Sequence, residues 1–290
     1  MIRRFNRFEL KYILPVHRCA RVIEDLAQQI TPDRHGGTEG YPVVSLYYDS
    51  PHYDFFWAKI EGLKFRRKVR VRIYPEGDIT KVTSGSIEIK QRINKTVQKR
   101  RLELPLDQAE ELCAGRLPLD GLDGLDTQVA HEITYLSRAM DLRPTAITAY
   151  HRRAFEGHNE NAGFRVTFDT HVASRIHGLS VNAAATNRLI LPDDWCIMEV
   201  KADDRVPEWA TSLLARHDCQ LSRVSKYCAG MSMLRGLNVM PLALSPGIPL
   251  PSDPTALSSS HTGGGALPAA ESPPVEGGSS EPRSEDPRHG

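Results

Sequence analysis

Side chains alternate between the two faces of a β-strand, so residue parity sorts each strand into two sides. Several stretches of this chain sort in the same way. In Val69-Arg70-Val71-Arg72-Ile73 both arginines share one face and the aliphatic residues share the other. Glu88 and Lys90 lie opposite Ile87 and Ile89, and Lys99, Arg101 and Glu103 lie opposite Leu102 and Leu104. Arg165, Thr167 and Asp169 lie opposite Val166 and Phe168. Glu199 aligns with Lys201, and Glu9 with Lys11. The pattern predicts strands over 8–14, 43–48, 68–74, 86–92, 99–104, 146–155, 164–171 and 195–202. Helical spacing predicts helices over 16–30, 106–114, 127–139, 207–215 and 224–237. Hairpin-length connections favour an antiparallel sheet, so the expected class is α+β, mainly antiparallel β.

A half-buried antiparallel strand ordinarily turns its charges to water. Here six strands repeat one habit, with Arg and Lys dominating and few Thr, Ser or Gln among them. A sheet closed into a barrel with helices outside would instead turn that face toward a solvated lumen. Parity alone leaves the two directions open. An inward face would favour a phosphate-rich ligand, because Arg pairs bidentately with phosphate oxygens and Lys adds point charge. The interspersed carboxylates would relieve mutual repulsion and could hold Mg²⁺ or Mn²⁺.

The remaining composition narrows the classes. Net charge is +1, so no global field draws the chain to nucleic acid or membrane, and a basic site must be local. Cys19, Cys113, Cys196, Cys219 and Cys228 are scattered without a CxxC pair, which argues against a disulfide framework or thiolate zinc site and for a reducing, cytoplasmic setting. No apolar run approaches the ~20 residues of a membrane helix, and residues 1–7 lack the apolar segment of a signal peptide. No Gly-rich loop sits between strand and helix as a P-loop or Rossmann turn requires. Residues 1–238 read as one folded unit. Residues 239–290, rich in Pro, Ser and Gly, read as a disordered tail.

The ordered motifs resemble the VTC domain, the polyphosphate polymerase domain of the triphosphate tunnel (CYTH-like) superfamily. They are Arg7-Phe8-Glu9-Leu10-Lys11-Tyr12, Val44-Ser45-Leu46-Tyr47-Tyr48-Asp49-Ser50, Lys68-Val69-Arg70-Val71-Arg72-Ile73-Tyr74 and Ile87-Glu88-Ile89-Lys90. Further along come Tyr150-His151-Arg152-Arg153-Ala154-Phe155, Arg165-Val166-Thr167-Phe168-Asp169, Met198-Glu199-Val200-Lys201 and Ser225-Lys226-Tyr227. The resemblance spans about residues 3–236. It implies a closed antiparallel β-barrel tunnel, with helices packed outside and a C-terminal helix closing over it. It also implies transfer of the ATP γ-phosphate to a polyphosphate chain, with Mn²⁺ or Mg²⁺.

Carried over by motif, the resemblance assigns catalytic roles to Lys11, Arg70, Arg72, Lys90, Arg152, Arg165 and Lys226. It gives the metal to Glu199. Lys99 matches the next basic position, although Arg100 and Arg101 blur that match. Glu9, Glu88, Lys99, Arg101 and Lys201 complete the expected substrate-binding set through their place on the charged faces. The superfamily's Glu-x-Glu-x-Lys signature is reduced here to Glu9-x-Lys11, which implies one ion held largely by substrate phosphates. His151 has the wrong parity relative to Arg152 and is expected to be structural, and Ser225 is expected to cap a helix.

Two other readings use the same residues. Water in place of the phosphate acceptor gives a triphosphatase acting on triphosphate or a nucleoside triphosphate. Loss of catalysis gives a polyphosphate-binding module. Nucleic acid is disfavoured because no aromatic stacking platform accompanies the basic strands. A membrane-bound partner is possible, although this chain shows no membrane segment.

Overall fold

The computed structural model describes residues 7–94, 96–118 and 124–237; the segment 239–290 lies outside them. The strands are β1 (Arg7–Pro15), β2 (Thr31–Pro32), β3 (Tyr41–Asp49), β4 (Phe65–Ile73) and β5 (Ser84–Ile93). They continue with β6 (Thr96–Pro105), β7 (Arg143–Glu156), β8 (Phe164–Arg175), β9 (Arg188–Leu189) and β10 (Trp195–Asp203). The helices are α1 (Val16–Leu26), α2 (Asp54–Ile60), α3 (Leu106–Cys113), α4 (Gly124–Met140), α5 (Glu208–Arg216) and α6 (Lys226–Arg235). All strands join one sheet in the order β1-β10-β8-β7-β3-β4-β5-β6, with β2 on β7 and β9 on β8. Every pairing is antiparallel.

The aliphatic parity of each strand builds two outer cores. Val69, Val71, Ile87, Ile89 and Leu102 pack under α3 and α4, against Leu112 and Ile133. Val166, Phe168, Met198 and Val200 pack under α1 and α5, against Val22 and Leu213. These side chains are almost fully buried. Each such aliphatic or aromatic residue contributes about 1.5–3 kcal/mol when removed from water. The apolar side is therefore committed to the helices, and the charged side is left to face the hollow of the curled sheet.

Three expectations need correction. First, the hydrogen-bonded path ends at β1 and β6, and among the described residues no backbone pairing joins them. The sheet is not closed into a barrel by its ladder. A side-chain contact spans that seam, with Lys90 Nζ 2.5 Å from Glu9 Oε2. Second, Cys19 on α1 and Cys196 on β10 form a disulfide, fastening α1 to the sheet. They stand 177 residues apart in sequence and meet only through helix-on-sheet packing. With that bridge formed, the cysteine pattern no longer argues for a reducing compartment. Third, a helix absent from the sequence reading, α2, follows the expected turn at Asp49. The Asp49 carboxylate accepts from the backbone N–H of Ser50, Phe55 and Phe56 at 2.8, 2.9 and 3.0 Å, satisfying donors that a helix start leaves free.

The C-terminal helix takes a place inside the hollow. Its Tyr227, Cys228 and Met231 pack on Tyr47, Ala146 and Phe56, and its Ala229 packs with Ile13, Val43, Val172 and Ile197. Ile13 shares parity with Lys11, and Ile197 with Glu199. The inner face thus turns from charged to apolar where α6 sits. A Cβ on Gly230 would fall 2.4 Å from Ser174 Oγ, so only glycine lets the helix approach β8 this closely. Tyr227 Oη donates to Asp49 Oδ2 at 2.6 Å, tying α6 to the start of α2.

Candidate functional site

The hollow is a cavity of about 3020 Å³. Strand β4 sends Arg66, Lys68, Arg70 and Arg72 into it at every second residue. Strand β5 adds Lys90 and Arg92, β6 adds Lys99 and Arg101, and β1 adds Glu9 and Lys11. Arg152, Arg165, Glu199 and Lys201 line the opposite wall, and Lys226 enters from the first turn of α6. Lysine and arginine far outnumber carboxylates on this surface. Every residue assigned from the sequence lines the cavity except Glu88.

Register turns the charges into three clusters. In the first, Lys11 stands opposite Glu199 and Glu9 opposite Lys201 across β1 and β10. Lys11 Nζ lies 3.0 Å from both Glu9 Oε1 and Glu199 Oε2, and Lys201 Nζ lies 3.2 Å from Glu199 Oε1. Burial opposes the charge on Glu199, yet Lys11, Lys201 and Lys90 hold it well below the usual carboxylate range. Glu9 likewise overcomes burial through Lys11 and Lys90 and falls to about 2. Lys11 is raised despite burial, because two carboxylates flank it. Lys201 is lowered to about 8 by burial, which Glu199 offsets only in part.

The second cluster centres on Glu88, which is 1% exposed and lies beneath the cavity wall. Its carboxylate accepts from Arg70 Nε at 2.8 Å and meets Lys99 Nζ at 2.6 Å. Glu88, expected to bind substrate, instead braces Arg70, Arg72 and Lys99 and does not line the cavity itself. Burial would raise Glu88, but those three cations bring it far below its ordinary value. Arg70 also donates to Tyr47 Oη at 2.9 Å. Arg72 is held by Ser45 Oγ at 3.0 Å and Tyr150 Oη at 3.1 Å. Burial works against ionising Tyr47, but Arg70, Lys68 and Arg72 bring its hydroxyl down to about 7.

The third cluster centres on Asp169, which is fully buried. Arg152 grips it bidentately at 2.7 and 2.8 Å, and Lys226 Nζ lies 2.6 Å from Oδ2. Lys226 also stands 4.6 Å from the Tyr150 ring centroid, within cation–π range. At one rim, Arg165 pairs with the buried Asp33 at 2.7 Å. Arg101 pairs with Glu103 near the β6 edge, where both are substantially exposed.

Sequence reasoning gave no role to Asp169, Asp33, Tyr47, Tyr150 or Lys68. Parity with Arg70 could have found Lys68, and parity with Arg165 does place Asp169 on the charged face. Asp33 lies outside any long strand, and the tyrosines carry no charge signal. Ser225 caps α6, accepting from Cys228 N at 3.3 Å, and also accepts from Lys68 Nζ at 2.7 Å. His151 is half-buried, and burial with His171 and Arg153 nearby lowers its proton affinity.

The VTC domain profile matches residues 6–235. The chain belongs to the VTC domain family. Vacuolar transporter chaperone complex subunit 4 of Schizosaccharomyces pombe is 23% identical over 239 residues, covering 70% of this chain and 33% of that protein. This VTC chain thus spans about one third of the length of that curated relative. A Bacillus halodurans crystal structure, provisionally described as an adenylate cyclase, aligns over 73% of this chain and 90% of its own at 12% identity and a TM-score of 0.42. No helix of the described residues is long and apolar enough to cross a membrane.

Donor chemistry bears on a divalent ion. Among the described residues no group of three His, Cys, Asp or Glu side chains gathers as a metal cage. Glu199 and Glu9 instead flank one lysine. One or two carboxylates with phosphate oxygens completing the shell is the usual arrangement for Mg²⁺. The site fits an ion that arrives with phosphate, not one bound by protein alone.

Proposed function

We propose that this VTC domain transfers the γ-phosphate of ATP to the end of a polyphosphate chain inside the basic hollow. The observation that carries this reading is the convergence of Arg70, Arg72, Lys90, Arg152, Arg165, Lys201 and Lys226 on one cavity, each braced by a carboxylate, hydroxyl or aromatic partner. Bracing fixes the cations before a ligand arrives, so little ordering is left for the moment of reaction. Arg70, Arg72 and Arg152 clamp phosphates by their planar forks. Lys11, Lys90 and Lys226 neutralise charge near the transferring group. A terminal phosphate oxygen of the acceptor attacks the γ-phosphorus, the bond to the β–γ bridging oxygen breaks, and ADP leaves with that electron pair. No protein nucleophile is needed. A divalent ion held by Glu199, with Glu9 beside it, would supply further neutralisation of phosphate charge.

The test is incubation of the full chain with ATP and Mn²⁺, followed by sizing of products. Chains longer than triphosphate are expected. Orthophosphate alone would replace this reading with triphosphate hydrolysis, and tight polyphosphate binding without turnover would replace it with a binding module. Glu199→Gln should lower the rate by at least the roughly 10–100-fold that loss of an outer partner costs a metal site. An unchanged rate would remove Glu199 from the ion.

A further inference from the structure

Most cations in the hollow have a carboxylate partner. Lys11 has Glu9 and Glu199, Arg70 and Lys99 have Glu88, Arg152 and Lys226 have Asp169, and Arg165 has Asp33. Among the described residues, Arg67, Arg175 and Arg223 line the cavity without one, and so does a group of four that stand together. Lys59 on α2, Arg66 and Lys68 on β4 and Arg92 on β5 line one end of the same cavity. Among the described residues, none of the four has a carboxylate within ion-pair distance. Lys68 donates to the hydroxyl of Ser225 and stands 5.9 Å from the Tyr227 ring centroid, and Arg92 donates to the backbone carbonyl of Asn94 at 2.8 Å.

Register makes the crowding worse. Arg66 stands directly opposite Arg92, and Lys68 directly opposite Lys90. Like charges facing each other across a pair destabilise a sheet. Burial together with Lys68, Arg66 and Arg92 disfavours the charged form of Lys59, and burial with Arg92 does the same for Arg66. Arg92 is exposed and Lys59, Arg66 and Lys68 are half-buried, so water offsets only part of this repulsion. The N-terminus of α6 opens beside Lys68 and adds its partial positive charge. A bound anion would offset the rest.

We propose that Lys59, Arg66, Lys68 and Arg92 form a second phosphate station, which holds the distal part of a polyphosphate chain whose end lies among Arg70, Arg72 and Arg152. This rests on the polyphosphate reading above and gives the chain a direction through the cavity. From Arg72 to Arg66 the strand advances about 20 Å, at roughly 3.3 Å per residue. That is longer than a triphosphate group. Triphosphate occupies only the inner clamp, while a longer chain reaches both stations.

The experiment compares binding of two probes, inorganic triphosphate and long-chain polyphosphate, over a range of salt concentrations. It uses the full chain and the triple variant Lys59→Gln, Arg66→Gln, Arg92→Gln. For the variant, the Kd of the long chain should rise about tenfold or more, and the slope of log affinity against log salt should flatten by about two. The Kd of triphosphate should stay within about twofold. Without ligand the variant should melt no lower than the parent, because repulsion has been removed. The single exposed change Arg92→Gln should give about a third of the slope effect. Unchanged long-chain affinity and slope, with both probes bound by the parent, overturn the second station and leave the polyphosphate reading standing. Equal loss of both probes also overturns it, since the cluster would then support the whole cavity. A parent that binds neither probe overturns the polyphosphate reading itself.

Discussion

Asp169 is where the architecture of the cavity is most exposed to a single change. Its carboxylate is fully buried and is shared by the Arg152 guanidinium and the Lys226 ammonium. Replacing it with Asn keeps the shape but removes the charge and turns an amide donor toward two donors. Breaking a buried pair by removing one partner costs about 3–5 kcal/mol, since the remaining cation is left uncompensated. For a domain of this size each kcal/mol shifts Tm by about 2–4 °C, so Asp169→Asn should melt roughly 6–20 °C below the parent at neutral pH. Differential scanning calorimetry measures this directly. Inorganic triphosphate should raise the Tm of the variant more than that of the parent, because the anion supplies the missing charge. Burial would raise Asp169, but Arg152 and Lys226 override it and depress its folded-state pKa below the ordinary 3.8. Its contribution is therefore present above 3.8 and is lost as pH falls through the lower folded value. The gap between variant and parent should narrow only below pH 3.8. A variant that melts within about 2 °C of the parent would refute the reasoning.

Lys201 titrates at about 8 instead of the usual 10.5, so phosphate binding should weaken as pH rises above 8. In the same window the unfolded chain holds more protons on this group, so its contribution makes stability without ligand rise with pH. Lys201→Arg stays charged and should abolish the Lys201 part of both trends, measured as triphosphate Kd and Tm across the pH range. Gly230→Ala places a Cβ 2.7 Å from Ser174 Cβ, an overpacking that should cost about 1–3 kcal/mol and displace α6 with Lys226. Adding Ser174→Gly should recover triphosphate affinity, while Tm stays below the parent because the buried Ser174 hydroxyl also donates to the Ile147 carbonyl at 2.6 Å; failure to recover affinity would show that the close approach is not what Gly230 provides.

The strand pattern was legible because parity is a local property. Each of the eight long strands overlaps its expected range, and the residues assigned to one face do share it, as Arg70 with Arg72 and Glu199 with Lys201. Helix bounds were less legible. α1 ends at Leu26 instead of residue 30, because the chain turns to let Thr31 and Pro32 pair with β7. α6 begins at Lys226 because the Ser225 hydroxyl caps it. α2 was missed because its start depends on the Asp49 side chain and on contacts with α6, none of which leaves a periodic signal over seven residues.

Alternation by itself determined which residues are apolar wall and which are charged lining, and the residue types determined that a phosphate-rich ligand suits that lining. Only the tertiary structure decided that the charged side faces inward, because that follows from four helices covering the other side. It alone decided which carboxylate serves which cation, since Glu88, Asp169 and Asp33 become counter-ions through register and burial. The disulfide of Cys19 with Cys196, the open seam between β1 and β6 and the crowded cations at Arg66 and Arg92 belong to the same class. Each joins residues distant in sequence, and no local rule of spacing carries that information.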